Sequence, residues 1–483
     1  MKPQKIFEIS GEDWTKGLSF KSDFPVGGVY SVASKFDPFD NYGYFHTSLD
    51  YAIVSTTTDT PICITSWNNS GTAKLYVHTA TKLYEVLDGS PYTQSDKSAE
   101  IDVSPDFRGA IIYKNKYVYS QTTELRANAL PVALASDIQI LSGYASSEHY
   151  HPMCIAPNKK LYIADGNQLN EVTSVAGTTG NTAGKYLLED NLIVRDLLND
   201  GNYLVVIADS NSSHTATATG VRGKYRSVIL FYDVNSGRPT ADVIYEFSDS
   251  WLTSVKQLDG ALYIFGKDNL YICNAATPPK AIFSFDGDST ITEAPRTPFE
   301  VIVKGNSILW SGQNNGVIWA YGSLVSGQKK VFYQPYSAGG TPRALVWTGT
   351  NLYAGGSATN QMLYVFNTGS TRTTSSVTTA PIFLPSAYRY AYSKVIMKKK
   401  LTSGGEVYLG LNSLDGSGII SDQITKQYST VGAKQTVVFG KENDSGQASE
   451  RIFSDFTLTV GSNQEVARVE VYGYPVDNYE QSN

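Results

Sequence analysis

Charge is in short supply in this chain. Asp, Glu, Lys and Arg make up 17% of 483 residues, and the net charge is -6. Nucleic-acid binding needs clustered Lys and Arg against the phosphates, so that class of partner is not expected. No run of about 18 apolar residues occurs, so no membrane-spanning helix is expected. The opening Met-Lys-Pro-Gln-Lys-Ile-Phe-Glu-Ile-Ser carries no apolar stretch of the kind a secretory signal needs. The expectation is a protein made in a cytoplasm that does not leave by the general secretory route. Cysteine is nearly missing. Cys63, Cys154 and Cys273 lie far apart, each in or beside an apolar run. They read as buried free thiols, with neither a disulfide framework nor metal-ligand spacing. Helical spacing of apolar residues is also scarce.

What the chain has instead is 33 Tyr, 41 Gly and a recurring hairpin. The stretch from Ala261 to Asn274 sets two short apolar strands around the polar turn Gly266-Lys267-Asp268-Asn269. Related first strands occur at Lys74-Leu75-Tyr76-Val77, Lys116-Tyr117-Val118-Tyr119, Lys160-Leu161-Tyr162-Ile163, Asn202-Tyr203-Leu204-Val205, Ile308-Leu309-Trp310-Ser311 and Asn351-Leu352-Tyr353-Ala354. From Leu75 the steps are roughly 42, 44, 42, 59, 47 and 43 residues, the spacing of four-stranded propeller blades. The long step contains a small, polar insertion between Ala208 and Val228, suited to an exposed tip. Most copies show a second strand, such as Leu83-Tyr84-Glu85-Val86 or Leu363-Tyr364-Val365-Phe366; the copy at Lys116 shows no clear partner. Runs this short, rich in Tyr, Val, Ile and Leu and bounded by Gly, Asn, Asp or Ser, are strands. One hairpin cannot bury its own apolar face, but blades set radially bury one another's.

The expected fold is therefore all-β, a seven-bladed β-propeller followed by a C-terminal β-sandwich, with six or eight blades as the alternative counts if a weak copy is misread. Residues 1–46 precede the first repeat and form an arm that packs on the ring or supplies a strand to its last blade. An unpaired edge between first and last blades is a liability that some closure must remove. The propeller is expected over 47–378. The Thr/Ser run from Gly369 to Thr379 marks its end. From 380 to 483 the period is lost, and alternating strands such as Glu406–Leu411, Asp455–Val460 and Val466–Tyr472 fit a sandwich of about a hundred residues.

Candidate chemistry is thin. His149-Tyr150-His151 is the one close histidine pair; on a strand both rings share a face, as a metal would need, but no third ligand is identifiable. His46, His78 and His214 stand alone. Asp286-Gly287-Asp288 could offer paired carboxylates for glycoside hydrolysis, but Asp-Gly is a common turn, and the turn is the preferred reading. Asp165-Gly166-Asn167, Asp209-Ser210-Asn211 and Lys267-Asp268-Asn269 read as turn tips. Lys398-Lys399-Lys400 reads as a solvated strand end. The tyrosines read mostly as blade packing, with sugar stacking as the alternative. No phosphate loop and no Ser/His/Asp arrangement is present. No catalytic, cofactor-binding or metal-binding residue is assigned, and no cofactor is expected.

The chain lacks the recurring Gly-His and Trp-Asp pairs of WD40 proteins and the sialidase aspartate box. Its double glycines within the ring, Gly339-Gly340 and Gly355-Gly356, fall only in the last blade, unlike kelch repeats. Its layout resembles propeller-containing structural proteins of tailed bacteriophages. The resembling parts are the arm around Pro25-Val26-Gly27-Gly28-Val29, the diverged Leu-Tyr hairpins, and the end running from Glu450-Arg451-Ile452-Phe453-Ser454-Asp455-Phe456 to Ala467-Arg468-Val469-Glu470-Val471. That resemblance implies a structural or attachment component of a virion, assembled in the host cytoplasm. It would be multimeric, with other virion proteins and a host-surface glycan or protein as partners. A carbohydrate-active propeller enzyme and a cellular protein-interaction scaffold are the alternatives.

Overall fold

A computed structural model of the chain describes residues 4–16, 30–39, 45–46, 49–69, 71–79, 81–101, 109–133, 136–144, 150–190, 192–210, 226–247, 252–266, 269–284, 300–311, 316–338, 342, 344–356, 362–366, 375–379, 388–398, 407–413, 436–439, 453–461 and 464–475. Two compact units emerge. One comprises Met1–Tyr51, Ile318–Ser337 and Phe366–Asn483, the other Ala52–Val317 and Ala338–Val365.

Seven four-stranded sheets follow one another along the chain, giving a seven-bladed β-propeller. Blade one holds Cys63–Asn69, Thr72–His78, Leu83–Leu87 and Gln94–Asp96. Blade two holds Gly109–Tyr113, Lys116–Ser120, Glu124–Ala129 and Ile138–Ser142. Blade three holds Met153–Ile155, Leu161–Asp165, Gln168–Val172 and Thr182–Leu187. Blade four holds Leu192–Asn199, Leu204–Ser210, Ser227–Tyr232 and Val243–Phe247. Blade five holds Leu252–Leu258, Ala261–Gly266, Asn269–Asn274 and Thr277–Ser284. Blade six holds Val301–Lys304, Ser307–Ser311, Val317–Gly322 and Val331–Ser337. The first strand of each blade touches the first strand of the next, and Leu345–Trp347 of blade seven returns to Cys63–Asn69 of blade one. These first strands are thus innermost, and the circle is closed. The Lys116 copy, whose partner the sequence hid, pairs with Glu124–Ala129, Lys116 opposite Ala129.

The circle is sealed by chain ends exchanging a strand. Blade seven takes Leu345–Trp347, Leu352–Gly355 and Met362–Phe366 from late in the chain and Ala52–Thr56 from its start. Ile53 lies opposite Tyr364 and Met362 opposite Thr56. This pairing removes the unsatisfied sheet edge that a ring built in one pass would leave.

The apolar core lies between blades. In a strand, alternate side chains face opposite ways. Leu75 and Val77 pack toward blade seven with Tyr353, Leu363 and Val365, whereas Tyr76 packs toward blade two with Tyr117 and Tyr119. Leu161 and Ile163 face blade two; Tyr162 and Ala164 face blade four. Val205 and Ile207 face blade five. A second strand is therefore buried on both faces, which is why Leu161-Tyr162-Ile163-Ala164 and Leu204-Val205-Val206-Ile207-Ala208 read as unbroken apolar runs. Each fully buried Val, Leu or Ile contributes about 1.5–3 kcal/mol.

Two sheets belong to the other unit. The five-stranded one orders Gln4–Ser10, Glu465–Pro475, Tyr388–Met397 and Thr436–Phe439, with Phe45–His46 also on Glu465–Pro475. The four-stranded one orders Tyr30–Ser34, Ser375–Thr379, Phe453–Val460 and Val407–Ser413. Both sheets draw strands from the first 46 residues as well as from the C-terminal region. Val395, Met397, Val437, Phe439, Val469 and Val471 are buried on the first; Val377, Val407, Leu409, Leu458 and Val460 on the second. Phe36, just past Tyr30–Ser34, stacks on Phe45 at 4.7 Å, and the Trp14 indole donates to the Ala467 carbonyl at 3.0 Å.

Candidate functional site

The innermost strands carry the chain's most unusual polar groups. Two of them, Leu192–Asn199 and Leu252–Leu258, are bulged, between Val194 and Asp196 and between Leu252 and Ser254. Bulges re-aim side chains and gather near functional sites. Asp196 Oδ2 accepts from Ser254 Oγ at 2.8 Å, Val255 N at 3.0 Å and Lys256 Nζ at 3.3 Å, all in blade five. Its Oδ1 accepts from Leu197 N at 2.8 Å. Glu300, just ahead of Val301–Lys304 in blade six, accepts from Leu345 N of blade seven at 2.9 Å. The Cys63 thiol of blade one also bears on this carboxyl.

These groups sit in, or just ahead of, the innermost strands. The Tyr150 hydroxyl of blade three is held far above the usual phenol range, first by desolvation, then by Cys63 of blade one, Glu300 of blade six and Asp196 of blade four. Tyr150 lies just ahead of the innermost strand of blade three, and Glu300 just ahead of that of blade six. Loss of water pushes the Glu300 carboxyl up to about 8; the Leu345 N–H, the Lys256 ammonium and the Cys63 thiol pull back, and Asp196 adds to the rise. Glu300 therefore carries a proton at neutral pH. Tyr150 and Glu300 still touch solvent, while Cys63 and Ser254 are buried. Half-solvated side chains in a crowded setting are what a narrow axial space produces.

The sequence candidates fare differently. His149, His214, Asp268, Asp286, Asp288, Lys399 and Lys400 lie outside the described residues. His151 is fully buried, with Nε2 3.7 Å from the Asp165 carboxylate and its ring edge-on to Tyr144 at 5.0 Å. Among the described residues no group of three or more His, Cys, Asp and Glu side chains is placed to hold a metal. His46 lies on the strand Phe45–His46. His78 is buried against the Tyr117 hydroxyl at 3.0 Å, and burial pushes it down to about 3, a neutral ring. Asp165 accepts from Gln168 at 3.0 Å. Asp209 is no turn tip. It ends the strand Leu204–Ser210, fully buried, gripping Arg195 at 2.7 Å and Leu252 N of the next blade at 3.0 Å. Lys398 faces Glu465 at 3.5 Å. The three cysteines are buried and form no disulfide.

The repeat tyrosines are structural for a specific reason. A buried hydroxyl needs a partner. Tyr76 donates to Glu85 at 2.9 Å, directly across the hairpin, with Lys74 on the other oxygen at 2.6 Å. Tyr162, Glu171 and Lys160 repeat the arrangement at 2.6 and 2.9 Å. Tyr119 uses Asp137, and Tyr353 uses Asp88 of blade one.

The axial set itself was not found from sequence. Asp196, Lys256 and Glu300 are isolated charges far apart in the chain. The available signal was a charge inside a first strand, as in Leu-Ile-Val-Arg-Asp-Leu-Leu-Asn and Leu-Thr-Ser-Val-Lys-Gln-Leu.

No family model and no curated protein matches the chain. Solved structures resemble it at low identity. Virginiamycin B lyase from Staphylococcus aureus is 11% identical, with 67% of this chain aligned to 99% of that one at a TM-score of 0.43. The β-propeller domain of Cps50 (Swd1) from Myceliophteria thermophila is 10% identical over 66% and 99%, at 0.42. The N-terminal domain of Nup159 is 10% identical over 66% and 96%, at 0.42. Likeness at this level transfers no activity, and the propeller rests on the sheets and their closed circle described above.

Proposed function

We propose that this chain works by surface contact rather than catalysis, as a propeller scaffold that serves as a structural or attachment component of a tailed-phage particle. In this reading the two sheets of the other unit are the layers of a sandwich, a reading supported by their buried apolar faces and the Phe36–Phe45 stack. The observation that carries the contact role is the placement of exposed apolar side chains. Ile53 is 54% exposed, Leu187 66% and Ile244 51%, and each lies on the outermost strand of its blade. Side chains so placed lie clear of the inter-blade core and are open to a protein partner. The phage assignment is supported by the resemblance in sequence layout. Its test is co-sedimentation of the purified chain with dissociated particle proteins and with host envelopes. Leu187→Asp and Ile244→Asp are expected to weaken capture by particle proteins. A chain that binds neither sinks the assignment.

A second reading is favoured by the axis. Asp196 helps to raise the Glu300 carboxyl, so two carboxyl groups, one of them protonated, feel each other's field, and glycoside hydrolysis uses such a pair. Against it, Asp196 is enclosed by four donors from its own strand and the next blade. Release of reducing ends from host polysaccharide, abolished by Glu300→Gln, would establish this reading in place of the first.

A further inference from the structure

We propose that the outward face of the five-stranded sheet, at Tyr392, Lys394, Arg468 and Tyr472, is a binding surface for an acidic glycan, a sugar ring bearing one carboxylate. The inference rests on the attachment reading above, since a virion protein that grips such a sugar grips a host surface.

Strand register puts these four side chains on one face. Tyr392 lies directly opposite Tyr472, Lys394 opposite Glu470 and Ile396 opposite Arg468. The alternate residues of the same strands, Val395, Met397, Val469 and Val471, are buried on the other face. Lys5 and Glu8 of the neighbouring strand Gln4–Ser10 join the outward face, opposite Tyr472 and Glu470. They pair with each other, so their charges cancel.

The cluster has binding capacity left over. The Tyr392 and Tyr472 rings stack at 4.5 Å with 17° between their planes. Glu470, buried beside them, is fully engaged. Its Oε2 accepts from the Tyr472 hydroxyl at 2.9 Å, and its Oε1 faces Arg468 Nε at 3.2 Å. Lys394 is therefore left without a carboxylate, and its ammonium sits 4.8 Å from the Tyr472 ring centre and 5.6 Å from that of Tyr392. Among the described residues Lys394 has no ion pair, the Tyr392 hydroxyl has no hydrogen-bond partner, and the terminal nitrogens of Arg468 donate no hydrogen bond. Arg468 keeps 47% of its side-chain surface open, and Tyr392, Lys394 and Tyr472 are half-buried.

Charge and shape select the ligand. Lys394 and Arg468 against Glu470 leave one net positive charge, which suits a monoanion. The two cations are diagonal neighbours, roughly 7–8 Å apart along the sheet. The guanidinium fork matches a carboxylate. Beside it lie phenol rings for a sugar's C–H face and a free hydroxyl that can donate to, or accept from, a sugar hydroxyl. A protein partner fits less well, because the middle of a protein interface is depleted of charge, and here Lys394 and Arg468 occupy it.

The test is titration calorimetry and saturation-transfer NMR on the full chain with glucuronic acid and N-acetylneuraminic acid. Galactose is the neutral control and glucosamine the cationic one. Lys394→Met removes the ammonium and keeps a long side chain, Tyr392→Phe removes the free hydroxyl, and Leu187→Asp is the rim control. Thermal melts of all variants confirm folding. The expected result is saturable binding of at least one acidic sugar, weakening as salt rises from about 0.05 M to about 0.5 M. Affinity falls about tenfold in Lys394→Met and about fivefold in Tyr392→Phe, and is unchanged in Leu187→Asp. Absence of binding by both acidic sugars, equal or tighter binding of galactose or glucosamine, or undiminished affinity in Lys394→Met overturns the inference. The attachment reading is tested separately, by capture of particle proteins, which Lys394→Met leaves intact.

Discussion

Replacing Glu300 by glutamine should stabilise the ring, and only above mildly acidic pH. The glutamine side chain keeps an acceptor for Leu345 N and the size of the glutamate, but it cannot ionise. In the unfolded chain the glutamate titrates near its ordinary value of 4.5; in the folded ring burial moves it to about 8. A carboxyl whose folded value is raised gives its full stability below the unfolded value and loses it as pH climbs toward the folded one. The window is therefore pH 4.5 to about 8, and the wild-type ring loses stability across it relative to the glutamine variant. At about 1.36 kcal/mol per pH unit the gap corresponds to roughly 5 kcal/mol. Glu300 is half-buried, and solvent screening reduces this to about 2–3 kcal/mol. For a ring of this size that is a rise in melting temperature of about 3–4 °C at pH 8.5. Calorimetric melts of both proteins from pH 4.5 to 9 check it. The two should coincide at pH 4.5 and separate steadily up to about pH 8, with no further change above. A constant difference at all pH values, or a variant less stable at pH 8.5, refutes the claim that this carboxyl is desolvated at the axis.

Three further outcomes follow from the joints between blades. Asp209→Asn leaves the Arg195 guanidinium without its buried counter-charge and should cost about 3 kcal/mol, read as a lower urea midpoint. Gly109→Ala forces a side chain onto a φ of +148°, with its Cβ 2.7 Å from the His151 carbonyl oxygen; a loss of about 1–3 kcal/mol is expected by thermal melting. A chain whose Ala52–Thr56 segment is replaced by Gly-Ser repeats should lose amide protection first in Met362–Phe366, the strand it covers, when followed by hydrogen exchange.

The architecture was legible because a propeller repeats one physical problem. Each hairpin has two apolar faces and needs a neighbour on both, so Leu75, Leu161, Leu262 and Leu352 recur at similar spacing whatever surrounds them. Blade two was nearly lost because its third strand, Glu124–Ala129, interleaves Arg126 and Asn128 with small residues. Ala127 and Leu125 are buried there, but Asn128 is buried too, held by its bonds to Glu100 and Ala133, and no apolar run advertises the strand. The pairing of Gln4–Ser10 with Glu465–Pro475 left no sequence mark either. An antiparallel strand pair records its partner in backbone hydrogen bonds, and those carry no residue identity.

The axial site was hidden for a different reason, which is geometric. A circle converts a long repeat into short distances: positions one blade apart in the chain are neighbours, and positions three blades apart face each other across the centre. Tyr150 and Glu300 stand three blades apart by count, yet Glu300 still helps to hold the Tyr150 hydroxyl above the usual phenol range. The histidine pair drew attention because its members are close in sequence, yet it is the residue between them whose hydroxyl feels Cys63, Glu300 and Asp196 of other blades, while His151 is buried beside Asp165. In a closed ring, proximity along the chain is a poor guide to shared chemistry. A polar residue in or at the head of an innermost strand is a better one, because every such strand ends its side chains at the same place. Asp196, Lys256 and Glu300 each meet that description and share one cluster.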